Sequence, residues 1–203
     1  MNDKIKEIKQ SFRLMMDGSI AQSMRDKGVD YHLNWGATLP RLRQKADEIG
    51  KNYDLAIALW KENVRECKIL ATMIMPADEI LPEVVDIWME QTETVEIAEQ
   101  AAMNLYQYLP YAPEKAYQWI ASERELYQLC GFHVLSRLFM SGQEPNERGI
   151  NEFLDQAHVA LQSESIIVRK AALNSINHFS NLGLVYERLA GSILRRFINE
   201  QHK

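Results

Sequence analysis

Cysteine is nearly absent from this sequence: Cys67 and Cys130 stand 63 positions apart, with no Cys-x-x-Cys pair and no Cys/His cluster. That scarcity excludes a disulfide framework and a zinc site, and it predicts two reduced, buried small side chains. Histidine is also uncommon, with five residues. His32, His133, His158, His178 and His202 are isolated from one another and from other ligand types at metal-binding spacing, so no metal and no other cofactor is expected. No apolar run approaches the roughly 18 residues of a membrane span, and the opening MNDKIKEIKQ is charged from Asp3 onward. The expectation is a cytoplasmic chain that meets no membrane. A Gly-rich phosphate loop, a Gly-x-Ser-x-Gly elbow and sustained strand alternation are also missing, which argues against an ordinary nucleotide or hydrolase enzyme and against a sheet.

Positive charge is also short, with 23 Lys and Arg against 28 Asp and Glu, a net charge of −5. The deficit is local. Residues 76–123 hold ten acids and one base, Lys115, while the rest of the chain holds 22 bases and 18 acids. Two weakly basic ends flank an acidic middle, and phosphate would meet repulsion only in the middle.

What the sequence has is helix. Apolar residues recur at helical spacing, as in Leu55 and Leu59, Ile69 and Met73, or Leu173 and Ile176. Gly18, Gly28, Gly50 and Gly142 separate the segments, and Pro40, Pro82 and Pro113 suit first helical turns. Ser122-x-x-Glu125 has the pattern of a capping box. Eleven or twelve helices follow, with Ser141 to Arg148 as the longest exposed loop. Four segments superpose: Val64-Arg-Glu-Cys67, Val95-Glu-Ile-Ala98, Tyr127-Gln-Leu-Cys130 and Val168-Arg-Lys-Ala171, at spacings of 31, 32 and 41. Each opens on an apolar or aromatic residue and has Cys or Ala fourth, which predicts a close helix approach there. Each also follows another amphipathic helix. The pattern predicts one all-α domain over residues 1–203, a right-handed superhelix of HEAT-like helix pairs preceded by N-terminal helices in 1–28.

From Tyr31 the chain reads YHLNWGATLPRLRQKADEIGKNYDLAIALWKENVRECKILATMIM, with Gly36-x-x-x-Pro40-x-x-Arg43 behind aromatic residues, then Leu59-Trp60 and the Arg65-Glu66 pair. Together with Trp119-Ile-Ala-Ser122 and Val168-Arg-Lys-Ala-Ala, this resembles the AlkD-type DNA alkylation-repair glycosylases over roughly residues 28–190. The resemblance implies a solenoid with duplex DNA on its concave face, and a site made of a carboxylate, two Trp faces and an Arg. The carboxylate position falls on Glu96. The Trp positions fall on Thr92 and Asn174, and the Arg position on Leu129.

Such a site stabilises positive charge developing on the sugar as the glycosidic bond breaks, by Coulomb and cation–π attraction. Glu96 alone supplies only the first of these. It also shares the second repeat position with Arg65, Gln128 and Arg169, where a polar ladder between repeats is the structural alternative. Arg41, Arg43, Arg65, Lys68, Arg169 and Lys170 are the candidate phosphate contacts, with a solvated helix face as their alternative. Trp60, Trp88 and Trp119 read as core, and Trp35 as the one exposed aromatic contact. Two functions compete: a DNA-interacting family member with a degenerate or weak excision site, and a non-catalytic scaffold whose acidic face takes a protein partner.

Overall fold

A computed structural model describes residues 1–201. Among them are twelve α-helices: α1 Asn2–Leu14, α2 Gly18–Asp26, α3 Leu39–Ile49, α4 Tyr53–Trp60, α5 Arg65–Ile74, α6 Pro82–Glu90, α7 Val95–Asn104, α8 Ala112–Ile120, α9 Glu125–Met140, α10 Glu147–Leu161, α11 Ile166–Ser180 and α12 Leu184–Gln201. The described residues contain no strand. Starts are set by local chemistry. Pro40, Pro82 and Pro113 occupy the first turns of α3, α6 and α8, where a missing N–H costs nothing. Asn52, Thr94, Asn146 and Ser165 accept backbone N–H groups that the first turns of α4, α7, α10 and α11 leave open.

The helices form two compact units, Met1–Tyr108 and Leu109–Lys203. In the first, α5 packs against α3, α4 and α7. Trp60 of α4 and Trp88 of α6 stack with centroids 4.2 Å apart and rings 3° from parallel, so the first helices of two successive pairs meet through indole faces. In the second, α9 lies between α8 and α11, and α10 and α12 complete the stack. Its core is an aromatic cluster of Phe132, Phe139, Phe153 and Phe179. Cys67, Ala98 and Cys130 are fully buried and Ala171 is 4% exposed, so the small fourth residue of each repeat lies at the expected close contact. Glycine serves the same end in α9, where a Cβ on Gly131 would stand 2.8 Å from the Ala116 carbonyl oxygen.

Four expectations about local structure change. The longest connection is 27–38, between α2 and α3, whereas the segment between α9 and α10 spans only 141–146. Polar composition marks the latter, but the former is held by burial that no local pattern announces. Ser122 is not a helix cap: α9 begins at Glu125 behind Arg124, and the Ser122 hydroxyl accepts only the Arg124 N–H, at 3.2 Å. Trp35 is 7% exposed, its ring 5.9 Å from that of Phe12 of α1, and offers no exposed face. His158 is not isolated, because its Nε2 lies 3.1 Å from Glu200 of α12. His202 lies outside the described residues.

Candidate functional site

The residue types singled out for chemistry meet at the N-termini of α5 and α7. Arg65 and Glu96 both stand in first helical turns, at the same position of successive repeats, and the stacking of α5 against α7 brings them together. Arg65 grips Glu96 with a parallel fork: Nη2 donates to Oε1 at 2.6 Å and Nε to Oε2 at 2.8 Å. The Tyr31 hydroxyl donates to the same Oε2 at 2.6 Å. Both oxygens of the carboxylate thereby accept hydrogen bonds from protein, one at Oε1 and two at Oε2.

The rest of Arg65 turns inward. Its Nη1 donates to the Ala37 carbonyl at 2.9 Å and to Glu66 Oε1 at 3.2 Å. Glu66 Oε1 also accepts the backbone N–H groups of Trp35 and Ala37, each at 3.2 Å, while the Arg65 N–H donates to the Leu33 carbonyl. Tyr31, Leu33, Trp35 and Ala37 all belong to the connection 27–38. The network therefore fastens this long connection to the starts of α5 and α7. Gly36 makes the docking possible: at φ +74° it lies so close to the start of α2 that any Cβ would strike the Asp17 carbonyl.

Electrostatics follow from burial and pairing. Burial pushes the Glu96 carboxyl up, but the Arg65 hydrogen bonds and charge and the Tyr31 hydroxyl outweigh it and hold the group below its ordinary value. Burial and the Glu96 charge raise the Tyr31 phenol, so it stays a donor at any physiological pH. Burial likewise pushes the Cys67 thiol up to about 12, and that of Cys130 higher, which leaves neither as a nucleophile. Among the described residues no group of three or more His, Cys, Asp or Glu is arranged to hold a metal ion.

The remaining candidates lie apart from this network or are used otherwise. Arg65 is 2% exposed and wholly engaged, so it is not a phosphate contact; a buried guanidinium in a fork cannot also reach solvent. Lys68 stands 4.6 Å over the Trp60 ring and donates to the Trp60 carbonyl, and burial lowers its pKa. Arg41 and Arg43 are exposed on α3, and Lys170 on α11. Arg169 is half-buried and donates to the carbonyls of Ser163 and Glu164 behind α10, so the ladder is realised at Arg65–Glu96 while Arg169 serves as a cap. Thr92 is buried, its hydroxyl donating to the Trp88 carbonyl at 2.8 Å. Leu129 is buried in α9, and Asn174 is exposed on α11 with its amide 3.4 Å from Ser136 Oγ.

Trp faces are not supplied from elsewhere. Trp35, Trp60, Trp88 and Trp119 are 7%, 2%, 2% and 1% exposed, and they are all the Trp the chain has. The cavity that Tyr31, Arg65, Lys68 and Thr94 line is about 80 Å³, far below the roughly 300 Å³ at which small-molecule sites begin. Tyr31 and Glu66 are the partners that sequence reasoning missed. Glu66 was visible within the Arg-Glu pair, but nothing local marks Tyr31 as the neighbour of a residue 65 positions away.

Comparison with known proteins fits this architecture. One solved structure, described as "a new family of proteins related to the HEAT-like repeat DNA glycosylases with affinity for branched DNA structures", aligns with a TM-score of 0.84. It is 17% identical, with 95% of this chain and 82% of that one covered, and it establishes an all-helical fold of HEAT-like repeats. Among curated proteins none matches. The family model described as DNA alkylation repair enzyme matches residues 8–181, most of the twelve helices. The chain belongs to the DNA alkylation repair enzyme family.

Proposed function

We propose that this protein is a DNA-binding member of its family in which the base-excision site has become structural. The observation that carries this reading is the bidentate Arg65–Glu96 pair with the Tyr31 hydroxyl on the same carboxylate. A carboxylate that must stabilise a developing sugar cation needs an oxygen facing the substrate, and catalysis of this kind depends on preorganised, available charge. Glu96 has both oxygens committed, and no Trp face is exposed to assist it. Excision of alkylated bases is then absent or slight.

DNA binding in this reading rests on phosphate contacts along the second helices of the repeats, on the concave side expected of a HEAT-like stack. Arg41, Arg43, Lys68 and Lys170 are the cations that remain exposed or half-exposed for it. Acid is present on both helices of the pairs: Glu83 and Glu90 are exposed on α6, a first helix, while on the second helices Glu96 is neutralised by Arg65, Glu99 is half-exposed and Glu125 is exposed at the start of α9. The affinity for branched DNA described for the structural relative makes a junction a natural ligand to try. A second reading, a scaffold for a protein partner, is favoured by one feature: Leu81 and Ile87 are 59% and 51% exposed amid the acids of α6. Titrations with undamaged, abasic, alkylated and branched DNA at two salt concentrations separate the two. Salt-sensitive binding with little preference for the lesion is expected; no binding at low salt would leave the scaffold.

A further inference from the structure

The basic residues of α1 were not among the candidate contacts, yet they line a groove of the first unit. Asn2, Lys6, Lys9, Gln10 and Arg13, facing Glu62, border a trough of about 530 Å³. At about 100° of turn per residue, Asn2, Lys6, Lys9 and Arg13 fall within about 60° of arc, so they form one stripe along the helix. The adjacent stripe of Ile5, Ile8 and Phe12 is buried in the unit at 8%, 3% and 0% exposure. Burial of that stripe fixes how the helix is rotated, and hence how its cations are displayed.

We infer that this groove holds the sugar–phosphate backbone of a DNA strand, adding a contact surface at the start of the chain to the DNA binding proposed above, on which it rests. Lys6 and Arg13 are both exposed and stand seven residues apart, about 10 Å along the axis, close to the rise of three nucleotides on one strand. Asn2 and Gln10 add neutral groups of the kind that commonly donate to phosphate oxygens. A lipid surface is a poorer match, because an interfacial helix must offer its apolar face to the bilayer and this helix has spent its own on the core.

The acid among the lining residues is Glu62, which holds Lys9 at 2.7 Å. The pair acts as an internal competitor: a phosphate entering the groove must share Lys9 with this carboxylate. Removing the Glu62 charge should therefore tighten binding, an effect that general loss of structure would not produce.

The experiment is an anisotropy titration of the full chain with a labelled duplex at about 50 and about 200 mM salt. Lys6→Ala/Arg13→Ala is expected to bind about tenfold or more weakly at the lower salt, with a log–log salt slope shallower by about two. Glu62→Gln is expected to bind several-fold more tightly, and Lys4→Ala, on the opposite side of α1, to leave affinity and slope unchanged. Unchanged binding by the double variant would overturn the groove while the DNA reading stands. A per-charge loss as large for Lys4→Ala as for the double variant would also overturn it, by showing that only bulk charge matters. A wild-type chain that binds no duplex would overturn both.

Discussion

The two units solve the same packing problem with different chemistry. In the first, the second helices α5 and α7 are ten residues each, and their starts bury an ionic network of Arg65, Glu66 and Glu96. In the second, α9 and α11 run sixteen and fifteen residues over interlocked phenylalanines. Charge divides the same way, with 13 bases and 18 acids in the first unit and ten of each in the second. The first unit must fasten the long connection 27–38, whose backbone N–H and C=O groups need partners once buried, and Arg65 and Glu66 supply them. The second has no connection of that length and fills its interior with apolar volume. Glu96, the position to which the resemblance assigns the carboxylate, falls on the polar side of this divide, where it accepts hydrogen bonds from Arg65 and Tyr31.

Arg65→Ala would break the comparison most severely. It leaves Glu66 and Glu96 without their cation and is expected to cost about 3–5 kcal/mol in urea unfolding, while Arg169→Ala at the same repeat position costs about 1 kcal/mol or less. Equal costs at the two positions would erase the contrast between the units. Close packing gives the next effect, and it is common to both. Ala98→Leu in the first unit and Gly131→Ala in the second are each expected to cost about 1–3 kcal/mol. The glycine change does so although alanine is the better helix former by about 1 kcal/mol, because a Cβ there meets the Ala116 carbonyl rather than a side chain that can swing away. A stabilised Gly131→Ala chain would mean that α8 and α9 can separate.

The pH dependence sharpens the comparison more finely. The Glu96 carboxyl is held below its ordinary value of 4.5, so its pair contributes stability that is complete above that value and is lost as the pH falls through the lower folded-state value. Melting temperatures of the wild type should fall on acidification below about pH 4.5 more steeply than those of Glu96→Gln, which has no proton to take up. Identical acid profiles would show that the fork contributes nothing.

Small residues at fixed spacing made the repeats legible. Cys67, Ala98, Cys130 and Ala171 are local markers of a non-local contact, because a helix that approaches another must be narrow at that point, and Pro82 and Pro113 announce helix starts by steric necessity. Tyr31 and Trp35 carry no such marker. Their places depend on Glu96, Glu66 and Phe12, which lie far off in the chain, and an aromatic beside a glycine reads equally well as an exposed contact. The fate of Glu96 was legible only as a choice between catalysis and a ladder. The partner that bears on the choice is Arg65, whose burial no pattern along a helix could supply.

The most direct measurement is single-turnover release of 7-methylguanine and 3-methyladenine from DNA saturated with the protein, comparing wild type with Glu96→Gln, which keeps the shape and removes the charge. Release at the spontaneous rate by both proteins is the expected result. Release by the wild type well above that rate, abolished in Glu96→Gln, would contradict the account and establish Glu96 as a working catalytic carboxylate.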